Sequence, residues 1–310
     1  MHDLRDAPTE EWDPRSDWSL ALRDTMPRTE TSPPELIGGR YRVLGVLGRG
    51  ATATVYEVED IQTGALRALK LLEVTDPISR ARLHREVAAM VRLEHPAAVR
   101  VFSVDTLGDR DYIVMERVDG LDLLTWMREN VEPMDLLRTV RLFRGVAECL
   151  HEAHELGLVH RDVKHSNLVL ERRPGSDECL RLLDFGLAKR MDGQASLTSM
   201  DRVVGTPAYM CPERLFTNAR ATPAWDIYSM GVVLHELLTR RPLFRADSWP
   251  QVMDIIQHRM PPPVSASRPE APPSLDVLVD EMLSKEPVNR PSGADVVARR
   301  LARVEDMLSR

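Results

Sequence analysis

His160-Arg161-Asp162-Val163-Lys164-His165-Ser166-Asn167, with Asp184-Phe185-Gly186 seventeen positions beyond Asn167, is the stretch that decides how this chain is read. Phosphoryl transfer passes through a loose transition state that needs an in-line acceptor and neutralised oxygens more than covalent help. Asp162 meets the first need by accepting a hydroxyl proton and holding that oxygen on line. Asn167 offers a neutral oxygen ligand to a hard cation, and Asp184 offers a charged one. Lys164, two residues after the acid, brings a point charge to the transferring group. Each side chain alone is ordinary loop chemistry. The joint spacing carries the reading.

The string resembles the catalytic and metal-binding loops of the eukaryotic-type (Hanks-type) protein Ser/Thr kinase family. The resemblance covers about residues 41 to 308. It implies an α+β, two-lobed fold with a small β-rich N-lobe and a larger, mostly helical C-lobe. It also implies ATP with Mg²⁺, or Mn²⁺ in its place, and protein substrates with Ser or Thr acceptors. Lys164 in this position resembles Ser/Thr kinases rather than Tyr kinases.

The nucleotide site is expected at the first two strands. Leu47 precedes Gly48-Arg-Gly50-Ala-Thr-Ala53-Thr-Val55, in which Gly48 and Gly50 let backbone N–H groups approach phosphate. The segment resembles the family's glycine-rich loop with Ala53 in place of the third glycine. The resemblance makes Lys70 the ligand of the α- and β-phosphates, paired with Glu86 on the next helix. It assigns Val55, Ala68 and Val169 to the adenine sandwich, Met115 to the gatekeeper position, Glu116 and Val118 to backbone contacts with adenine, and Asp122 to the ribose.

Gly205-Thr206-Pro207-Ala-Tyr-Met-Cys211-Pro212-Glu213 resembles the family's peptide platform, with Cys211 replacing alanine. Glu213 is expected to pair with Arg290, and Asp226 to anchor the catalytic-loop backbone. Arg161 before the acid implies activation by phosphate on the activation segment. Thr198 is the best-placed acceptor, with Ser196 and Ser199 as neighbours able to substitute, and Thr206 belongs to the same regulatory segment. Such a phosphate adds about −1.5 to −2 charge opposite Arg161.

The 310 residues suggest two lobes plus a tail. Net charge is −7, and residues 1 to 38 hold nine acids against four arginines, so −5 of it lies in that segment. This argues against nucleic acid or anionic membrane as a partner. Residues 1–38 therefore read as an acidic, disordered tail and 39–310 as one catalytic domain, its N-lobe at about 41–118 and its C-lobe at about 120–310. Only four of 41 basic residues are lysine. Two of those four, Lys70 and Lys164, fall at proposed catalytic positions, and the arginine bias looks like a GC-rich, hence bacterial, genome.

Cys149, Cys179 and Cys211 are odd in number and unpaired in spacing, which supports neither a disulfide framework nor a zinc site. No apolar run of membrane-spanning length exists, and the expectation is a cytoplasmic protein without membrane insertion. Patterning predicts strands near 41–47, 54–58, 66–72, 99–103 and 111–116. It predicts helices at about 79–93, 121–129, 134–156, 224–239, 249–257, 275–284 and 293–308, the last leaving no room for a C-terminal sensor domain.

Two other functional classes compete with an active protein kinase. A pseudokinase scaffold commonly lacks a lysine, acid or metal ligand, whereas Lys70, Asp162, Asn167 and Asp184 are all present. A small-molecule phosphotransferase generally lacks the platform that residues 205–213 resemble. The resemblance is also compatible with a homodimer for trans-autophosphorylation.

Overall fold

The computed structural model describes residues 35–50, 53–72, 77–171, 178–185, 207–217, 219–244 and 248–310. Thr198, Ser196, Ser199 and Thr206 lie outside them, as does the acidic segment up to residue 34. Six strands, β1 (Leu36–Ile37), β2 (Tyr41–Arg49), β3 (Ala53–Asp60), β4 (Ala65–Leu72), β5 (Val101–Leu107) and β6 (Arg110–Glu116), form an antiparallel sheet in the order β1-β2-β3-β4-β6-β5. Helix α1 (Pro77–Met90) crosses between β4 and β5. Residues 36 and 37 were expected in the tail; they pair instead with Arg42 and Tyr41, and Ile37 is fully buried.

The two-residue alternation of strands decides what each face carries. Leu69 and Leu71 of β4, Tyr112 and Val114 of β6, and Tyr56 and Val58 of β3 fill one apolar cluster. Ala68 and Leu72, Ile113 and Met115, and Ala53 point the other way, into the core shared with the helical lobe. Lys70 falls between Ala68 and Leu72, so the alternation directs it toward the helical lobe. Arg40 closes the far end of the β2–β3 pair with a bidentate contact to Asp60 at 2.8 and 2.7 Å.

The second lobe contains β7 (Gly120–Asp122), α2 (Leu123–Glu129), α3 (Leu136–Glu155), β8 (Leu168–Glu171), β9 (Cys179–Leu182), α4 (Pro212–Phe216), α5 (Pro223–Thr239), α6 (Trp249–His258), α7 (Pro273–Met282) and α8 (Ala294–Leu308). Helix α3 buries Leu136, Val140, Phe143, Ala147 and Leu150, a stripe at three- and four-residue spacing, and Asp135 caps its start. Helix α5 is buried on all sides from Trp225 to Thr239. Its polar side chains therefore need partners inside the protein.

The small sheet β7-β8-β9 carries the site's lower wall. Gly120 is required there, because a Cβ would stand 2.4 Å from Leu170 O on β8. Helices α1 and α7 each begin two residues before the positions expected from patterning, and β5 starts two residues later. None of the three cysteines forms a disulfide. Among the described residues no helix is long and apolar enough to cross a membrane.

Candidate active site

Residues 160–167 run from α3 to β8 and receive their shape from α5. The fully buried Asp226 accepts from His160 N and Arg161 N, both at 2.7 Å, and its Oδ2 also lies 2.9 Å from His154 Nε2. This pinning holds Arg161 at φ +66, in the left-handed region that a β-carbon disfavours. On the other side, Arg214 Nη1 of α4 donates to Arg161 O at 2.5 Å.

His160 is buried, and burial keeps its imidazole below the ordinary histidine pKa. Asp162 N donates to Nδ1 at 3.2 Å, which assigns the proton to Nε2, the donor to Leu183 O at 2.7 Å. One neutral ring thus links the acid's backbone to the strand end before Asp184. Its centroid lies 4.7 Å from that of the Phe185 ring, the two planes tilted by 52°.

Asp162, Lys164 and Asn167 converge. Asn167 Nδ2 donates to Asp162 O at 2.8 Å and Asp162 Oδ2 at 3.1 Å, while Lys164 Nζ stands 3.2 Å from that same Oδ2. With its NH₂ so engaged, the Asn167 amide oxygen faces away from the acid. Asp184 follows β9 at φ +50, and its Oδ1 lies 2.9 Å from Lys70 Nζ. Lys70 was expected to pair with Glu86; the contact seen is with Asp184, and Glu86 sits half-buried on α1.

An amide oxygen and a carboxylate are hard donors that fit Mg²⁺ or Mn²⁺ provided phosphate oxygens complete the shell. No cluster of three or more His, Cys, Asp or Glu side chains suited to a metal exists among the described residues. Such a site fits a cation that arrives with a nucleotide.

Ala68 and Met115 face each other across β4 and β6, with Val169 on β8; all three are buried. Val55 packs partly buried against the same core, as does Val118, while Leu47 remains half exposed. Gly48 pairs with Val55, and Gly50 N donates to Ala53 O at 2.9 Å. Glu116 N is spent on Arg100 O at 2.8 Å, so any adenine contact at this residue must use its carbonyl. Both oxygens of Asp122 accept from Thr125, N at 3.0 Å and Oγ1 at 2.7 Å, making it the N-cap of α2. Sequence reasoning assigned it to ribose and did not foresee the cap, although the Asp-x-x-Thr spacing signals one.

A buried cation went unnoticed in the sequence. Arg181 of β9 donates through Nη1 to Glu171 Oε2 at 3.0 Å and through Nη2 to Ala98 O at 3.0 Å, and its Nη2 also bonds Glu116 Oε2. It ties the strand that delivers Asp184 to the connection between the lobes. Alternating Arg in an apolar strand, Leu180-Arg181-Leu182, was the available signal, and it reads equally as a solvated face.

The platform after residue 206 is held as expected. Arg290 forks onto Glu213 at 2.7 and 2.8 Å and also donates to Ser284 O, Ala224 O and Lys285 O. Ser229 Oγ donates to Tyr209 O at 2.7 Å, and Tyr209 Oη lies 3.0 Å from His165 Nδ1. Glu236 Oε2 stands 3.6 Å from the same nitrogen. Burial pushes Glu236 up to about 8 and His165 down to about 3. Cys211 precedes α4, and burial raises its thiol to about 12, far from a reactive thiolate.

The family model for the protein kinase domain matches residues 41–301. A probable serine/threonine-protein kinase of Streptomyces coelicolor is 36% identical over 273 residues, covering 84% of this chain and 39% of the relative. Serine/threonine-protein kinase Pkn1 of Myxococcus xanthus is 33% identical over 270 residues, covering 85% of this chain and 38% of the relative. The chain thus spans about two fifths of the length of these relatives. Among solved structures, the kinase domain of Mycobacterium tuberculosis PknI, as a double mutant, matches with TM-score 0.70 and 25% identity, covering 89% of this chain and 100% of that one.

Proposed function

The chain belongs to the protein kinase family, and from that premise we propose that it transfers the γ-phosphoryl group of ATP to Ser or Thr hydroxyls of proteins. The observation that carries the reading is the convergence of Asn167 and Lys164 on the Asp162 carboxylate, beside the Lys70–Asp184 ion pair. Acid, lysine and both prospective metal ligands are all in place, which a binding-only scaffold does not need.

Asp162 holds the acceptor hydroxyl and takes its proton as the bond to the γ-phosphorus forms, while the bond from that phosphorus to the β–γ bridging oxygen breaks and ADP leaves. Lys164, 3.2 Å from that carboxylate, lies on the path of the transferred group and offsets its charge. Lys70 positions the α- and β-phosphates. Asn167 and Asp184 would hold Mg²⁺, or Mn²⁺, which when bound neutralises charge on the phosphate oxygens. Ala68, Met115, Val55 and Val169 exclude water around the base, with Glu116 and Val118 orienting it through the backbone.

Activation by phosphate on Thr198, with Ser196, Ser199 and Thr206 as further regulatory residues, belongs to the same proposal, as does modification in trans within a transient homodimer. Arg161 supports it: its Nε is buried without a hydrogen-bond partner among the described residues. A phosphate there would satisfy a stranded donor.

Intact-mass measurement after incubation with Mg²⁺ and ATP tests the reading, beside Asp162→Asn. Added phosphate on wild type alone is expected, with nucleotide affinity unchanged in the variant. Equal phosphate incorporation by Asp162→Asn would remove Asp162 as the base.

A further inference from the structure

Asp111 stands just beyond the two-residue turn Gly108–Asp109 that joins β5 to β6, and it is fully buried. A carboxylate withdrawn from water needs donors around it. Thr106 Oγ1 donates to its Oδ1 at 3.2 Å across the strand pair, and Arg80 Nε donates to Oδ2 at 3.0 Å. His84 Nε2 stands 3.8 Å from Oδ1. Arg80 and His84 are four residues apart on α1, so they share one face of the helix.

The geometry is directional. Arg80 Nη2 reaches past the carboxylate to Asp109 O at 2.7 Å, so one guanidinium fork grips both strand and turn. Gly108 at φ +63 permits the turn that brings this carbonyl within reach. Leu83, Val87 and Met90 of α1 are buried in the apolar core. Apolar burial is non-directional and tolerates a helix that slides or rotates; a two-armed fork does not.

We propose that Asp111 is a positioning residue for phosphoryl transfer: through Arg80 and His84 it sets the height and rotation of α1, and thereby where Glu86 stands relative to Lys70. This rests on the kinase reading above and on the Glu86–Lys70 pairing that the family resemblance implies, beside the Lys70–Asp184 contact seen here. The latch supplies position more than net stability, because a desolvated ion pair roughly offsets its own desolvation. Arg80 and His84 keep 34% and 42% of their side-chain surface exposed, so undocking the helix hydrates the Asp111 carboxylate together with both of them. Helix α1 then has a docked and an undocked state, and the Asp111 contacts select the docked one.

Replacing both helix-side residues, Arg80→Ala with His84→Ala, removes the latch without opening a cavity in the core. In the full chain, amide hydrogen exchange across residues 80–90 is expected to quicken about tenfold, the equivalent of one lost charge-assisted hydrogen bond. kcat/KM for ATP is expected to fall by a similar factor, while KM for the protein acceptor, whose platform lies on the other lobe, stays unchanged. Asp111→Asn should reproduce both effects. Unchanged exchange in the double variant overturns the latch, and faster exchange with unaltered kcat/KM for ATP overturns its positioning role. A wild-type chain without any phosphoryl transfer would instead remove the kinase reading, and the exchange comparison alone would still decide whether Asp111 holds the helix.

Discussion

Lys70 Nζ lies 2.9 Å from Asp184 Oδ1, so the N-lobe sheet is joined to the loop after β9 by a cation and a carboxylate that both address the proposed phosphates. Lys70 is 7% exposed, and water cannot replace it there. Lys70→Met is expected to lower phosphate incorporation by about a hundredfold. Lys70→Arg should not rescue it, because a planar fork does not fit a site shaped for a compact ammonium. Rates within tenfold of wild type, measured with radiolabelled ATP, would exclude Lys70 from the reaction.

Asp226 is the scaffold of the catalytic loop, and its action depends on being an acceptor at both oxygens. Asp226→Asn turns an NH₂ toward one backbone N–H and leaves a buried donor unmet, at about 1 to 3 kcal/mol. A lower unfolding midpoint should accompany a loss of kcat, with KM for ATP little changed. If stability falls while kcat is kept, the loop does not need this anchor to place Asp162.

Arg181 joins Glu116 at the connection between lobes to Glu171 and Ala98. Removing a buried cation from such a cluster costs about 3 to 5 kcal/mol. Arg181→Met is therefore expected to weaken ATP binding through a displaced Glu116 more than it slows the chemical step. Steady-state kinetics separates the two: a raised KM for ATP supports the linkage, whereas a pure kcat effect contradicts it.

Glu236 gives the folded protein a dependence on alkaline pH. Its carboxyl is raised by burial to about 8, above its ordinary value, so the folded state holds a proton the unfolded chain has lost. Its contribution to stability is complete below the unfolded pKa and declines as pH rises toward 8, by at most about 1.4 kcal/mol per unit. The buried His160, His165 and His235, all lowered by burial, act in the opposite sense near neutrality, because the unfolded imidazoles bind protons around pH 6.5 that the folded ones do not. In denaturant unfolding between pH 6.5 and 8, the stability of wild type relative to Glu236→Gln should fall as pH rises, whatever the buried histidines and Lys285, lowered by burial to about 8, add to both chains. An identical slope in the variant would mean Glu236 is ionised throughout.

The two lobes, strands β2 to β6, helices α1 to α3 and α5 to α8, and the motif spacing that singles out Asp162, Asn167, Asp184 and Lys70 were legible in the sequence. Strand alternation, helical periodicity and the spacing of a catalytic loop are local properties, written in neighbouring residues. Strand Leu36–Ile37 was not legible, because two residues inside an acidic, proline-bearing stretch carry no period, and only the exposed edge of β2 makes them a strand. The capping by Asp122 was readable from Asp-x-x-Thr yet yielded to a family expectation.

What only the tertiary structure decided is which charges meet. Lys70 finds Asp184 from 114 positions away. Arg181 gathers Glu116, Glu171 and Ala98, and Asp111 receives Arg80 and His84. Charged side chains have no periodicity that announces a partner, and burial, which makes a partner obligatory, exists only after the helices close over the sheet.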